Sequence, residues 1–498
     1  HKAVNYYQKA LVQAFPNFNS KDIKDNPALT EAWLESQAMF AAISKAQVLV
    51  KLAEIDKAPE SLRMNAAHCF DLALEVAARL RHSYGNDADK IAQSTNNRNA
   101  YQSAALNLWA LWSQSKDSVY LEHLLSLIEK SKAQSLADAL QQQRALALSE
   151  IPDSLLKNEV LLRNAAAEAS VQSDDDEAGQ DSLESAESKQ HSLDRNKSYD
   201  DFIEQLGKDY PQFLQYSTAD IPADITSIRR ALPDTTVLLS CFDAGDRYLT
   251  LQLHGKEIIA TEVAKDSAFN QSLLDFVGLL SDLNRQQASP GDFFHSAHAL
   301  YQKLFPQDQL QGVKSLLIVP DGMLCYLPFE ALLSSPHTNG TYATAPYLFR
   351  NCAVSYAWSA KLLTVSKASN VQGGFAQFAP FAESSRDGLA VLENSEQDVP
   401  WDLSSSLYKA GEATRDQFLL EAPANQILHL STHAQVGKDG VPGIEFYDRR
   451  LSLPEIYAQR FHASLVSLSA CETGSGKFAG GAGVLSLARA FASARAHS

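Results

Sequence analysis

The first glycine of this chain is Gly85. A stretch that long without the residue that most readily interrupts regular structure, and rich in Ala, Leu, Gln, Lys and Glu, favours helix throughout. Residues 1–170 are therefore expected to form a helical domain. "AVNYYQKALVQAF" illustrates the pattern: Ala3, Tyr7, Ala10, Leu11 and Phe15 recur at helical spacing and would form one apolar stripe. Further segments such as "SLRMNAAHCFDLALEVAARLRHSY" and "VYLEHLLSLIEKSKAQSLADALQQQRALA" follow, separated by short polar breaks. Stacked helix pairs with small residues at their contacts read as an α-solenoid, with a plain helical domain as the alternative.

Residues 171–234 are expected to be an acidic linker and helical connection. The run Asp174 to Lys197, "DDDEAGQDSLESAESKQHSLDRNK", has too few apolar residues to bury a core. It reads as a loop, a coiled-coil tip or a linker, with a regulatory or self-cleavage loop as the sharper alternative. Near residue 235 the texture changes. "TVLLSCFDAGDRYLTLQLHGKEIIATEV" is three short β-rich runs, a meander. Apolar strands then alternate with helices, which predicts an α/β sandwich with a largely parallel sheet over 235–498. Sites in such sheets form at the carboxyl ends of strands.

Composition narrows the function classes. Over 498 residues the net charge is −16, which argues against direct nucleic-acid binding. No apolar run approaches the roughly 20 residues that span a bilayer, so no membrane is expected. The five cysteines, Cys69, Cys241, Cys325, Cys352 and Cys471, are odd in number and irregular in spacing. That speaks against a disulfide framework and a structural zinc site, and fits a reducing cytoplasm. No cofactor is expected. The chain does not begin with Met and stops inside a helical pattern, so it is expected to be a piece of a longer protein, its C-terminus above all.

Two apolar runs end in reactive side chains: "ILHLSTHAQ" at His433 and "SLVSLSACETGSG" at Cys471. A thiolate is the nucleophilic form of cysteine, and a nearby histidine promotes it and protonates a leaving amine. Adjacent parallel strands, about 5 Å apart, would bring two such residues side by side. The segment between them, with "LSLPEIYAQRF", is long enough for the crossover a parallel pair requires. Small residues follow both, Ala434 after the histidine and a glycine-rich run after the cysteine, so a substrate backbone can approach. The helix expected over "AGVLSLARAFASA" would aim its N-terminus at the thiolate. Competing motifs fail: in "HLSTH" the zincin base is replaced by Leu430, and around "GSGK" a phosphate loop would need Gly at 471 and Ser or Thr at 478. Residue chemistry alone leaves two readings open, a working pair or a core histidine and a core cysteine.

The neighbouring blocks carry a resemblance. "ILHLSTHA", "LVSLSACETGSG" and "GGAGVLSLARAF" resemble three consecutive blocks of the CHAT peptidases, bacterial caspase-like proteases found with tetratricopeptide repeats. "SLLIVPDGMLCYLPFEALL" resembles the start of their peptidase-like region, "EKSKAQSLADAL" the helix leading out of their repeats, and "YYQKAL" half a repeat motif. The resemblance is strong over 314–493 and looser over 1–170. It implies a helical repeat domain followed by a caspase-like α/β sandwich. It further implies a regulated cysteine endopeptidase, with His433 as general base and acid and Cys471 as nucleophile. The backbone N–H groups of Ala434 and Cys471 would face the oxyanion, and Glu472, Thr473 and Gly474 would contribute to substrate binding. Relatives act in bacterial defence, some beside RNA-guided effectors, so the implied partners are a protein substrate and an activating protein on the repeats. A catalytically silent repeat scaffold is the alternative from another class; a nucleotide-binding regulator built on the glycine-rich loop is a third. Two departures stand out: Ala434 where many relatives have Gly, and Ala482 where Glu is usual.

Overall fold

Up to Ser217 the regular backbone is helical, beyond the 1–170 for which the scarcity of glycine predicts it. The computed structural model describes the chain except residues 1, 29–34, 56–58, 83–86, 178–181, 307–309, 311, 339–340, 366–373, 398–404, 437–441, 471–476, 480–482 and 495–498. Helix Glu35–Ala53 packs along Pro59–His82, and Arg98–Ser115 along Ser118–Ser131, an arrangement compatible with repeats. In the first helix, Lys2–Ala14, the buried stripe is Val4, Gln8, Leu11 and Ala14, rotated from the expected Ala3, Tyr7 and Ala10. A buried amine causes the rotation. Lys45 donates to Gln8 Oε1 (2.6 Å), Asn26 Oδ1 (2.8 Å) and the Asp25 carbonyl (2.8 Å), and a buried cation holds its hydrogen-bond partners inside with it.

The chain divides into two compact units that do not follow the segments expected from sequence. The first comprises His1–Tyr84, Asp89–Gln134 and Ile221–Val365, so the N-terminal helices and the meander share one unit. Strands β1 (Thr236–Asp243), β2 (Arg247–His254), β3 (Glu257–Ala264), β4 (Ser315–Val319) and β5 (Ala353–Tyr356) form a sheet in the order β3-β2-β1-β4-β5. β1 to β3 are antiparallel, whereas β1, β4 and β5 run parallel. Alternation along β1 decides what covers each face. Leu238 and Phe242 join the core of the N-terminal helices. Val237, Leu239 and Cys241 join a second core with Phe269, Phe276 and Phe293. A strand buried on both faces reads as a near-continuous apolar run, and "TVLLSCF" is one that buried Ser240 interrupts.

The Pro-Asp-Gly turn after β4 is locked at the strand ends. Asp321 accepts from Arg98 Nη2 and the Asp243 N–H, both at 2.9 Å. Gly322 has φ +58°, and a Cβ there would lie 2.5 Å from Asp243 Oδ2, which Lys265 holds at 2.9 Å. Gly322→Ala is therefore expected to destabilise this unit by about 2–4 kcal/mol, combining left-handed strain with overpacking; urea unfolding of the variant measures it.

The second unit comprises Gly85–Ala88, Ser135–Asp220 and Ser366–Ser498. In it, β6 (Gly374–Ala379), β7 (Ser405–Lys409), β8 (Asn425–Ser431) and β12 (Leu465–Ser469) form an entirely parallel sheet in the order β12-β8-β6-β7. Between β8 and β12 the chain makes a small antiparallel sheet, β9 (Ala434–Val436), β10 (Pro442–Glu445) and β11 (Arg450–Ser452), then the helix Leu453–Tyr457. After β12 comes a hairpin of β13 (Lys477–Ala479) and β14 (Gly483–Leu485). The expected helix begins only at Leu487, where Ser486 caps it. Residues 483–485, expected at the start of that helix, pair as a strand instead.

The acidic run is helical where described, through Asp153–Glu177 and again through Ser182–Asp209, and the two helices pack on each other. Its polar residues face one another along the helix, as in the 2.9 Å Gln190–Asp194 hydrogen bond. Its base is anchored by buried Glu159, which meets Tyr199 Oη at 3.1 Å, Arg163 at 3.4 Å and Arg460 at 2.7 Å. Among the described residues no helix is long and apolar enough to cross a membrane.

Candidate active site

The site begins with the pairing of β8 and β12. Their parallel register sets Ser431 opposite Ser469, and the Thr432 N–H donates to the Ser469 carbonyl at 3.2 Å. His433 lies two residues past Ser431, and Cys471 two residues past Ser469. The two runs singled out in the sequence are thus neighbouring strands that end level with one another. Cys471, Glu472, Thr473 and Gly474 lie outside the described residues.

His433 is partly exposed, in contrast to His429, which is buried in β8 and bonded to Ser431 Oγ at 2.9 Å. His433 Nε2 lies 2.8 Å from the Ala390 carbonyl. A carbonyl only accepts, so Nε2 carries the proton and Nδ1 is the basic nitrogen of the neutral ring. The Phe381 ring meets the imidazole edge to face, with centroids 4.9 Å apart. Ala390 and Phe381 were not legible in the sequence: one acts through its backbone, the other from a loop-rich stretch with no motif.

Ala434 is buried and opens β9. The Glu445 N–H donates to the His433 carbonyl at 2.9 Å, so His433 and Glu445 are a hydrogen-bonded pair of the antiparallel ladder. Alternation makes Ala434 and Ile444 the next, non-hydrogen-bonded pair. The Ala434 N–H is therefore turned away from β10, which an oxyanion donor requires.

Of the other cysteines, Cys69, Cys241 and Cys352 are buried. Burial pushes the Cys69 thiol up to about 11 and the Cys241 thiol up to about 12, and raises Cys325 and Cys352 as well. None of these four carries thiolate character at neutral pH. Among the described residues no group of His, Cys, Asp and Glu could hold a metal ion.

No curated protein matches the chain. The family model of the CHAT domain matches residues 295–497, a span that includes β8, β12 and both candidate residues. Over those residues the chain carries a CHAT domain, in keeping with a CHAT-domain caspase-like protein.

Proposed function

We propose that this chain is a cysteine endopeptidase in which His433 and Cys471 form the working dyad. The observation that carries the reading is the level, adjacent ending of parallel strands β8 and β12. The CHAT match supports a caspase-like protease fold. The imidazole takes the thiol proton, and the thiolate sulfur attacks the scissile carbonyl carbon, forming the C–S bond. The oxyanion would receive hydrogen bonds from the N–H groups of Ala434 and Cys471. Collapse breaks the C–N bond as the imidazolium protonates the departing amine, leaving a thioester. Neutral His433 then deprotonates water, whose oxygen attacks the thioester and expels the thiol. Glu472, Thr473 and Gly474 would contact the substrate. The N-terminal helices would gate the reaction by binding an activating protein, as in a bacterial defence system of the cytoplasm, where that partner could be an RNA-guided effector complex.

A peptide carrying a thiol-directed electrophile is the test. The wild-type chain is expected to be labelled at Cys471 and Cys471→Ala not at all. Equal labelling and cleavage by both would end the assignment. Labelling of neither, with cleavage absent even when the products of neighbouring genes are added, would favour a silent scaffold.

A further inference from the structure

The carbonyl that orients His433 belongs to a short loop, and a carbonyl on a loop orients nothing unless the loop is itself held. Two devices hold it. The first is local. Asp387 and Gly388 have φ +50° and +82°, and Arg386 and Leu389 exchange both backbone hydrogen bonds, at 2.8 and 3.3 Å. Positive φ at both central residues makes this a two-residue hairpin turn, for which Asp-Gly is the favoured pair. The turn sends the chain back past Phe381, whose carbonyl accepts from the Leu392 N–H at 2.8 Å, with Ala390 between.

The second device is tertiary. The Arg386 guanidinium leaves the turn and reaches β10. Nη2 donates to Glu445 Oε2 at 2.6 Å, and Nη1 to the Phe446 carbonyl at 2.8 Å. Glu445 is buried, and its backbone is bonded on the other side to the histidine segment. Its N–H donates to the His433 carbonyl at 2.9 Å, and its carbonyl accepts from Thr432 Oγ1 at 2.5 Å. The contacts close a ring: His433 imidazole, Ala390 carbonyl, Asp-Gly turn, Arg386, Glu445, His433 backbone. Both ends of the imidazole's support are thereby referred to one ion pair. From this closed ring we infer that Arg386 and Glu445 are positioning residues, which hold the Ala390 carbonyl and the His433 main chain in fixed relation and so aim the imidazole. The inference rests on the dyad reading above.

A charge-assisted pair with a buried carboxylate is suited to this, because its geometry is narrow and its loss leaves the carboxylate without a partner. Displacement of a catalytic group by about 1 Å can lower a rate by up to about a hundredfold. The aromatic contact with Phe381 keeps the ring from leaving altogether, so a partial loss is expected.

The test is carboxamidomethylation of the intact chain by iodoacetamide at pH 7, read separately at each cysteine by peptide mass spectrometry. Arg386→Met keeps the aliphatic stem and removes the guanidinium. Gly388→Val strains the turn without a clash, since a Cβ there meets nothing within 4 Å. Gly388→Asn tolerates the left-handed backbone. Alkylation of Cys471 is expected to slow about three- to tenfold in Arg386→Met and Gly388→Val and to stay within about twofold of wild type in Gly388→Asn. Cys69 and Cys241 are expected to remain protected in all three. A general loosening would have the opposite sign, exposing Cys69 and Cys241 and speeding their alkylation; Glu445→Gln, which keeps the backbone and the volume, is then read in place of Arg386→Met. Wild-type rates at Cys471 in Arg386→Met, Gly388→Val and Glu445→Gln, beside a slow His433→Ala, would overturn the positioning role and leave the dyad standing. A His433→Ala chain alkylated as fast as wild type would remove the dyad itself.

Discussion

Replacing His433 by alanine is expected to lower peptide cleavage by about a thousandfold or more, and alkylation of Cys471 by iodoacetamide only about thirtyfold at pH 7. The two magnitudes differ because the imidazole does two jobs. For alkylation it only supplies the thiolate. An unassisted thiol with a pKa of about 8.5 is still a few per cent ionised at neutral pH, so the loss is bounded by that fraction. For hydrolysis the imidazolium must also protonate the leaving amine and later activate water, and among the described residues the side chain that meets the imidazole, Phe381, cannot do so. His429, four residues upstream, is buried and bonded to Ser431. Parallel measurement of both rates therefore tests the role of His433 and not merely its presence. A variant that cleaves within tenfold of wild type would end the assignment of His433 as the base.

Glu129→Ala is expected to destabilise the unit containing the five-stranded sheet by about 3–5 kcal/mol. Glu129 has no exposed surface. Its carboxylate accepts from Ser240 Oγ (2.6 Å), Ser359 Oγ (2.6 Å) and the Ala360 N–H (2.5 Å), and Lys132 Nζ lies at 3.4 Å. Burial by itself would push this carboxyl up, but Lys132 and the three hydrogen bonds outweigh it and hold it below the usual carboxylate range. A depressed acid stabilises the fold above its unfolded pKa, about 4.3, and the contribution is lost as pH falls through the lower folded value. Alanine would remove the carboxylate facing the buried Lys132 ammonium and leave it Ser240 Oγ (2.9 Å) and the Val319 carbonyl (3.2 Å), neither of which carries a charge. Replacing both partners, as Glu129→Leu with Lys132→Met, is expected to restore most of the loss, because well-packed apolar groups can substitute for a buried pair. Urea unfolding of the two variants at pH 7 decides it. A single variant within 1 kcal/mol of wild type would show that the pair carries no such weight.

Both residues lie in "EKSKAQSLADAL", the stretch that resembled the helix leading out of the repeats. The sequence predicts one helix through the stretch, whereas the structure breaks it at Lys132 and Ala133, between helices Ser118–Ser131 and Gln134–Leu148. The sequence did not show that Glu129 and Lys132 are inside, because on a helix wheel they read as one more solvated i,i+3 pair. Ser240 and Ser359, more than a hundred residues downstream, make their burial possible. Gln8 and Lys45 repeat the lesson at the N-terminus, where a polar contact across helices turned the first helix by about one residue from the face its apolar pattern favoured. The start of the helix expected over "AGVLSLARAFASA" shows a different limit. Its small residues are compatible with a tight hairpin as well as with helix, and pairing of Phe478 with Val484 decided between them.

What the sequence determined by itself is whatever short-range sterics and apolar period can specify. That covers the helical character of residues 1–170, the meander at 236–264, strands β8 and β12 of the second sheet, and the placing of His433 just past the end of one of them. Tertiary structure alone decided the grouping of the meander with the N-terminal helices, the parallel register that makes β8 and β12 end level, and the Arg386–Glu445 link behind the histidine. These are contacts between residues far apart along the chain, made largely through backbone groups that every residue type carries. No local pattern encodes them, and they exist only once the chain has closed on itself.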